Sequence, residues 1–162
     1  MCGFAGFLTN SERLFNSFGN PTKILKLMNN QIIKRGPDTE GYWLDPNKLL
    51  GLSHRRLAIQ DLSNLGHQPM LSNSKRYVVA FNGEIYNYLD LGKKLISQGY
   101  TSNFKGNSDT EVLISIIECY GFETAIKLCK GMFALAVYDT QEKYLYLCRD
   151  RFGEKPLYYG WQ

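Results

Sequence analysis

Two histidines, no C-x-x-C pair and no run of Lys or Arg deprive this sequence of the usual markers of metal, redox and nucleic-acid proteins. His54, His67 and four scattered cysteines (Cys2, Cys119, Cys129, Cys148) lack metal-ligand spacing, so no metal site is expected. The 19 basic and 15 acidic residues leave a net charge of +4 spread along the chain, so neither nucleic acid nor a membrane surface is an expected partner. No apolar run approaches the roughly 18 residues of a membrane helix. The first eight residues carry no basic region ahead of their apolar stretch, which argues against a secretory signal. The glycosylation pattern at Asn20 is closed by Pro21. These absences point to the cytoplasm.

What is present fits one globular domain over 2–162, since 44% hydrophobic residues suffice for a sizeable core. Cys2 to Leu8 predicts a buried strand. Asn20-Pro21 predicts a cap and first helical position, followed by Leu25, Met28 and Ile32 at helical spacing and a stop at Arg35-Gly36-Pro37. Short strands are expected over 41–44, 49–53 and 56–59. Tyr77 to Phe81 predicts a strand ended by an Asn82-Gly83 turn. A helix is expected from Tyr88 to about Gly99. Ser108-Asp109-Thr110-Glu111 predicts a capping box opening another, and Phe122 to Cys129 a third. Met132 to Val137, Tyr144 to Cys148 and Pro156 to Tyr159 predict further strands. The pattern is an α+β layered fold with helices covering sheets.

One cysteine stands apart by position. Removal of Met1 would make Cys2 the first residue, carrying a thiol and a free α-amine together. An α-amine of pKa about 7.7–8.0 can accept a proton from a thiol of pKa about 8.5 near neutral pH. That makes one residue both nucleophile and base, with no histidine required. Cys119, Cys129 and Cys148 sit in apolar segments and read as small core residues.

Several short blocks follow in a fixed order: Cys2-Gly3-Phe4-Ala5-Gly6, Arg35-Gly36-Pro37-Asp38, His54-Arg55-Arg56-Leu57-Ala58-Ile59, Gln68-Pro69, Asn82-Gly83-Glu84-Ile85-Tyr86-Asn87, Ser108-Asp109-Thr110-Glu111, Gly131-Met132-Phe133-Ala134 and Arg149-Asp150-Arg151-Phe152-Gly153. From Cys2 to about Tyr159, this ordered set resembles the class II glutamine amidotransferases of the asparagine synthetase type. The resemblance implies an N-terminal-nucleophile hydrolase fold, a four-layer αββα sandwich. It also implies an enzyme that hydrolyses L-glutamine to L-glutamate and ammonia through a Cys2 thioester, the glutaminase half of a glutamine-hydrolysing asparagine synthetase.

The roles it implies fall on particular residues. Arg56 binds the substrate α-carboxylate, a task that suits a planar guanidinium. Leu57, Ala58, Ile59 and Gln60 continue the substrate-binding segment. The Asn82 side chain and the Gly83 N–H form the oxyanion hole. Glu84 and Asp109 accept the substrate α-ammonium. Arg55 should face away from Arg56 as a solvated charge. Arg35 and Asp38 are expected to pair across their loop, and Arg149-Asp150-Arg151 to form an internal ion-pair network. His54 is assigned no chemistry. No metal or cofactor enters the glutaminase reaction; ATP and Mg²⁺ belong to a synthetase domain, the ammonia-accepting partner, whose Ser-Gly-Gly loop is absent from these residues.

The family pattern continues past Leu157-Tyr158-Tyr159 with another strand, so the sandwich is expected to lack its last strand. That departure supports an alternative: a truncated, non-catalytic remnant or scaffold module. Two further alternatives are a glutaminase serving a sugar or peptide acid, and a hydrolase of another amide.

Overall fold

Asn20 opens the first helix as its type dictates. Its side chain accepts the Lys23 N–H at 3.2 Å, and Pro21 occupies the first helical position, where its missing N–H costs nothing. The computed structural model describes residues 2–10, 15, 19–58 and 63–161. Within them the chain runs β1 (Gly3–Leu8), α1 (Pro21–Gln31), β2 (Thr39–Leu44), β3 (Leu50–Arg56), β4 (Met70–Leu71), β5 (Tyr77–Ile85), α2 (Tyr88–Ser97), α3 (Asp109–Tyr120), α4 (Phe122–Leu128), β6 (Gly131–Asp139) and β7 (Tyr144–Arg149). None of these helices is long and apolar enough to cross a membrane.

Two antiparallel sheets result, ordered β1-β3-β2 and β4-β5-β6-β7. Period-two alternation sorts their side chains. From β5, Val78 and Ala80 meet Leu50 and Leu52 of β3 between the sheets, with Ala136 and Tyr138 of β6. The alternate residues Tyr77, Val79, Phe81 and Ile85 pack with Phe133, Leu135 and Val137 against Leu95, Leu113 and Ile117 of the helices. Helix α1 packs on the first sheet, chiefly β3. The order is helix, sheet, sheet, helices: the expected αββα sandwich. Leu50, Leu52, Val78 and Ala80 are at most 3% exposed, and burying each Leu is worth about 1.5–3 kcal/mol.

Several local expectations are corrected. Asn82-Gly83 is not a turn: β5 runs through both to Ile85, with Asn82 opposite Ala134 and Gly83 opposite Phe133. A Cβ at residue 83 would collide with the Met132 carbonyl and Phe133 Cα, so close approach of β6 demands the glycine. Helix α1 stops at Gln31, and a 3-10 turn over Ile33–Arg35 leads to Gly36. Leu57 and Ala58 follow β3 without forming a strand, and Pro156 to Tyr159 forms none either. Gly131 begins β6 rather than ending a helix. Ser108 caps α3 through Thr110 N–H, but Glu111 bonds the N–H groups of Lys105 and Gly106 instead of closing a box on Ser108.

Arg149-Asp150-Arg151 is a set of backbone clamps, not an ion-pair network. The Asp150 carboxylate accepts N–H bonds from Phe133, Phe152, Glu154 and Lys155. Arg149 donates to Gly153 O and Arg151 to Cys129 O and Lys127 O. The end of a helix, the end of a strand and the turn after Arg149 leave backbone groups without ladder partners, and these side chains satisfy them.

Candidate active site

Alternation also decides which arginine is available to a substrate. Residues 50, 52, 54 and 56 of β3 face the second sheet, so Arg56 lies at the end of the inter-sheet layer. Arg55 points the opposite way, as expected, but it is not solvated. It is 7% exposed beneath α1, paired with Glu40 at 2.7 Å and bonded to Asn29 O and Asn30 Oδ1. The first sheet therefore uses one arginine to hold its helix and its neighbour to line a cavity.

That cavity has a volume of about 180 Å³, and among the described residues it gathers Cys2, Arg56, Leu57, Asn82, Gly83, Glu84 and Asp109. The ladder explains the first contact. Gly3 pairs with Arg55, so Cys2 lies just beyond, at the level of Arg56 and within reach of Leu57. The Leu57 N–H donates to Cys2 Sγ at 3.4 Å, and Sγ is 3.6 Å from Leu57 O. Arg35 Nε donates to Cys2 O at 2.9 Å, while Asp38 accepts the Ala58 N–H at 2.8 Å. Arg35 and Asp38 thus do not pair; each ties the loop to one side of the cavity.

Arg56 is itself cradled. Its Nη1 donates to Ser63 O at 2.7 Å, and Gly66 lies so near its guanidinium that a Cβ there would strike Nη2. Ala58, expected in the wall, falls outside it, bound to Asp38. Ile59 and Gln60, like Met1, lie outside the described residues.

Strand β5 supplies the other wall. In its pairing with β6, Tyr86 N–H bonds Lys130 O, so even-numbered residues of β5 bond β6 and odd-numbered ones face the opposite edge. The two-residue β4 covers that edge only at Val78 and Val79. Beyond it the N–H groups of Phe81, Gly83 and Ile85 point outward. Gln68 Oε1 takes the first at 2.7 Å and Asp109 Oδ2 takes the third at 2.8 Å. Gly83 N–H, between them, faces the same edge, and Gly83 lines the cavity together with Asn82.

The titratable groups divide sharply. Burial pushes Asp109 up to about 6, with the nearby Glu84 charge adding to the effect against the Ile85 and Thr110 N–H bonds. Burial lowers His54 to about 4, and its Nε2 sits 3.0 Å from Phe81 O. A carbonyl only accepts, so Nε2 carries the proton and the ring is neutral. His54 is a donor to the strand and no base. Burial raises the Cys129 thiol to about 12, and Cys119 and Cys148 are raised as well, in keeping with core roles. Among the described residues no group of His, Cys, Asp and Glu could hold a metal ion.

The sequence reading missed Gln68, Phe81, Thr110 and Lys155 in the wall. Gln68-Pro69 stood out as a block but carried no assigned role; nothing at Lys155 marked it as buried.

Comparison with known proteins finds similar sequences along the whole chain. A family model described as a glutamine amidotransferase domain matches residues 1–162. Asparagine synthetase [glutamine-hydrolyzing] 1 of Bacillus subtilis is 43% identical over 159 residues, covering 98% of this chain and 24% of the relative. Asparagine synthetase [glutamine-hydrolyzing] 2 of the same organism is 40% identical, with 98% and 20% covered. A putative asparagine synthetase of Methanocaldococcus jannaschii is 35% identical, with 99% and 32% covered. The chain spans between a fifth and a third of the length of these relatives.

Proposed function

The chain belongs to the class II glutamine amidotransferase family, and from that premise we propose that it is the glutaminase part of a glutamine-hydrolysing asparagine synthetase. The observation that carries the reading is the meeting of Cys2, Arg56, Asn82, Gly83, Glu84 and Asp109 around one cavity. Those groups complement a zwitterionic amino acid at one end and a carboxamide at the other.

Arg56 holds the glutamine α-carboxylate, and Asp109 with Glu84 receives the α-ammonium. The α-amine of Cys2, freed by removal of Met1, takes the thiol proton. The thiolate attacks the δ-carbon, and the charge on the former carbonyl oxygen is met by the Asn82 amide and Gly83 N–H, groups already oriented before reaction. The C–N bond then breaks, with the protonated amine returning its proton to leaving ammonia. Water attacks the γ-glutamyl thioester, giving glutamate and restoring the thiol. The half-reaction as written uses no metal or cofactor. ATP and Mg²⁺ serve a synthetase domain, which activates aspartate and accepts the ammonia.

The test pairs intact mass with turnover. A chain lacking Met1 is expected to release glutamate and ammonia from glutamine, and Cys2→Ala to abolish this while keeping its melting temperature. Wild-type turnover in Cys2→Ala would refute the nucleophile assignment.

A further inference from the structure

The open edge of β5 is maintained by side chains that stand in for a missing strand. Phe81 is the first residue beyond β4 whose backbone groups face that edge. Gln68 Oε1 accepts its N–H at 2.7 Å, and His54 Nε2–H donates to its carbonyl at 3.0 Å. The other end of the Gln68 amide donates from Nε2 to Thr110 Oγ1 at 3.3 Å, in the first turn of α3. Thr110 follows Asp109, whose carboxylate bonds Ile85 N–H. One buried side chain, 5% exposed, therefore links the strand carrying Asn82 and Gly83 to the helix carrying Asp109.

From this geometry we infer that Gln68 is a positioning residue for the oxyanion site: it fixes β5 at Phe81 so that the Gly83 N–H, two residues on, meets the developing charge. This deepens the glutaminase reading and rests on it. The physical reason is the tolerance of such a site. An oxyanion donor works at about 2.7–3.1 Å from the oxygen it stabilises, so a strand edge shifted by a few tenths of an ångström loses turnover before it loses binding. A fourth strand residue could satisfy Phe81, but continuing β4 would also occupy the edge position of Gly83. A side-chain amide satisfies one residue and stops. Gln68 also bonds Thr110 at the acid end of the cavity, where Asp109 keeps its own, shorter bond to Ile85 N–H.

The experiment compares the wild-type chain with Gln68→Met and Gln68→Glu. Methionine has similar length but bonds neither partner; glutamate keeps an acceptor for the Phe81 N–H. Glutamine kcat and KM are measured, with glutamate affinity by calorimetry as an independent gauge of the zwitterion end. Gln68→Met is expected to lower kcat by about 10–100-fold with KM and glutamate affinity within threefold. Gln68→Glu is expected to recover most of that loss. The inference is overturned if Gln68→Met keeps full kcat, if its loss lies in KM alone, or if a folded Gln68→Glu is as impaired as Gln68→Met. Should Gln68→Met not fold, Gln68→Glu decides: kcat within tenfold of wild type supports the role, and a folded variant impaired more than a hundredfold refutes it. A wild-type chain without glutaminase activity sinks the functional reading and this inference together; an active wild type with unaffected variants sinks the inference alone.

Discussion

Asp109 and Asp150 perform the same local task on opposite edges of the second sheet, in opposite electrical circumstances. Asp109 caps Ile85 N–H where β4 has run out, and Asp150 caps Phe133 N–H where β7 has run out. Phe133 is the cross-strand partner of Gly83, so the two acids flank the same two-stranded end of the sheet. Around Asp150 four backbone N–H groups converge. Burial works upward there, but those bonds outweigh it and hold the carboxyl at about 2. Around Asp109 the bonds are too few to offset burial, and the carboxyl rises to about 6. A carboxylate saturated by donors is a structural part. One left short of donors is held at a cost to stability, and a substrate ammonium can relieve that cost.

The largest expected effect breaks the structural member of the pair. Asp150→Ala strips the partner from buried N–H groups and should lower stability by at least about 3 kcal/mol, with a melting temperature lower by about 6–12 °C at pH 7. Because the folded value lies below the unfolded one, this contribution is present above the ordinary carboxylate range and fades as pH falls through about 2. A thermal melt matching wild type would end the distinction between the two acids.

The opposite sign is expected at Asp109. Its folded value lies above the unfolded one, so its contribution is favourable at low pH and lost as pH rises through about 6. Asp109→Asn should therefore raise stability at pH 8, by up to roughly 2–3 kcal/mol, and leave it little changed at pH 4. The same variant should raise the glutamine KM at least about tenfold, having lost the charge that faces the ammonium. Stabilisation without a KM change would leave Asp109 a strained cap with no part in binding.

A smaller, continuous effect should appear in the wild-type chain. Protonating Asp109 removes one of the two ammonium acceptors, so below about pH 6 kcat/KM for glutamine should fall more steeply than protonation of the Cys2 α-amine alone would make it fall. An acid limb that persists unchanged in Asp109→Asn would assign it to another group.

Much of this site was legible in the sequence because the short blocks holding Cys2, Arg56, Asn82-Gly83 and Asp109 stand in the order that the family resemblance supplies. Alternation sets Arg55 and Arg56 on opposite faces, the resemblance selects Arg56, and helical spacing with Asn20-Pro21 gives α1. What alternation does not give is what each face meets, which is why Arg55 reads as solvated until Glu40 and α1 cover it. Asn82-Gly83 reads as a turn because the dipeptide is a common turn former; the cross-strand approach of Phe133 that instead requires the glycine is set by residues fifty positions away. Gln68 was hidden for the same reason. Its partners Phe81 and Thr110 lie on a strand and a helix, and only the shortness of β4 gives its amide a backbone to serve.

The smallest expected effect refines how the acid is kept in register. Thr110→Val preserves shape and removes the acceptor for Gln68 Nε2, a bond of 3.3 Å against 2.8 Å for Asp109 to Ile85 N–H. The shorter bond, to a group of higher charge density, should dominate in holding the start of α3 against β5. Stability should then fall by only about 1 kcal/mol, and KM should change less than threefold. The contrast with Asp109→Asn gives the measurement its meaning. If Thr110→Val instead raises KM as far as Asp109→Asn does, the helix is positioned by the neutral amide and not by the carboxylate. Asp109 would then owe its place to the same side chain that fixes Phe81, and the two ends of the cavity could not be tuned separately.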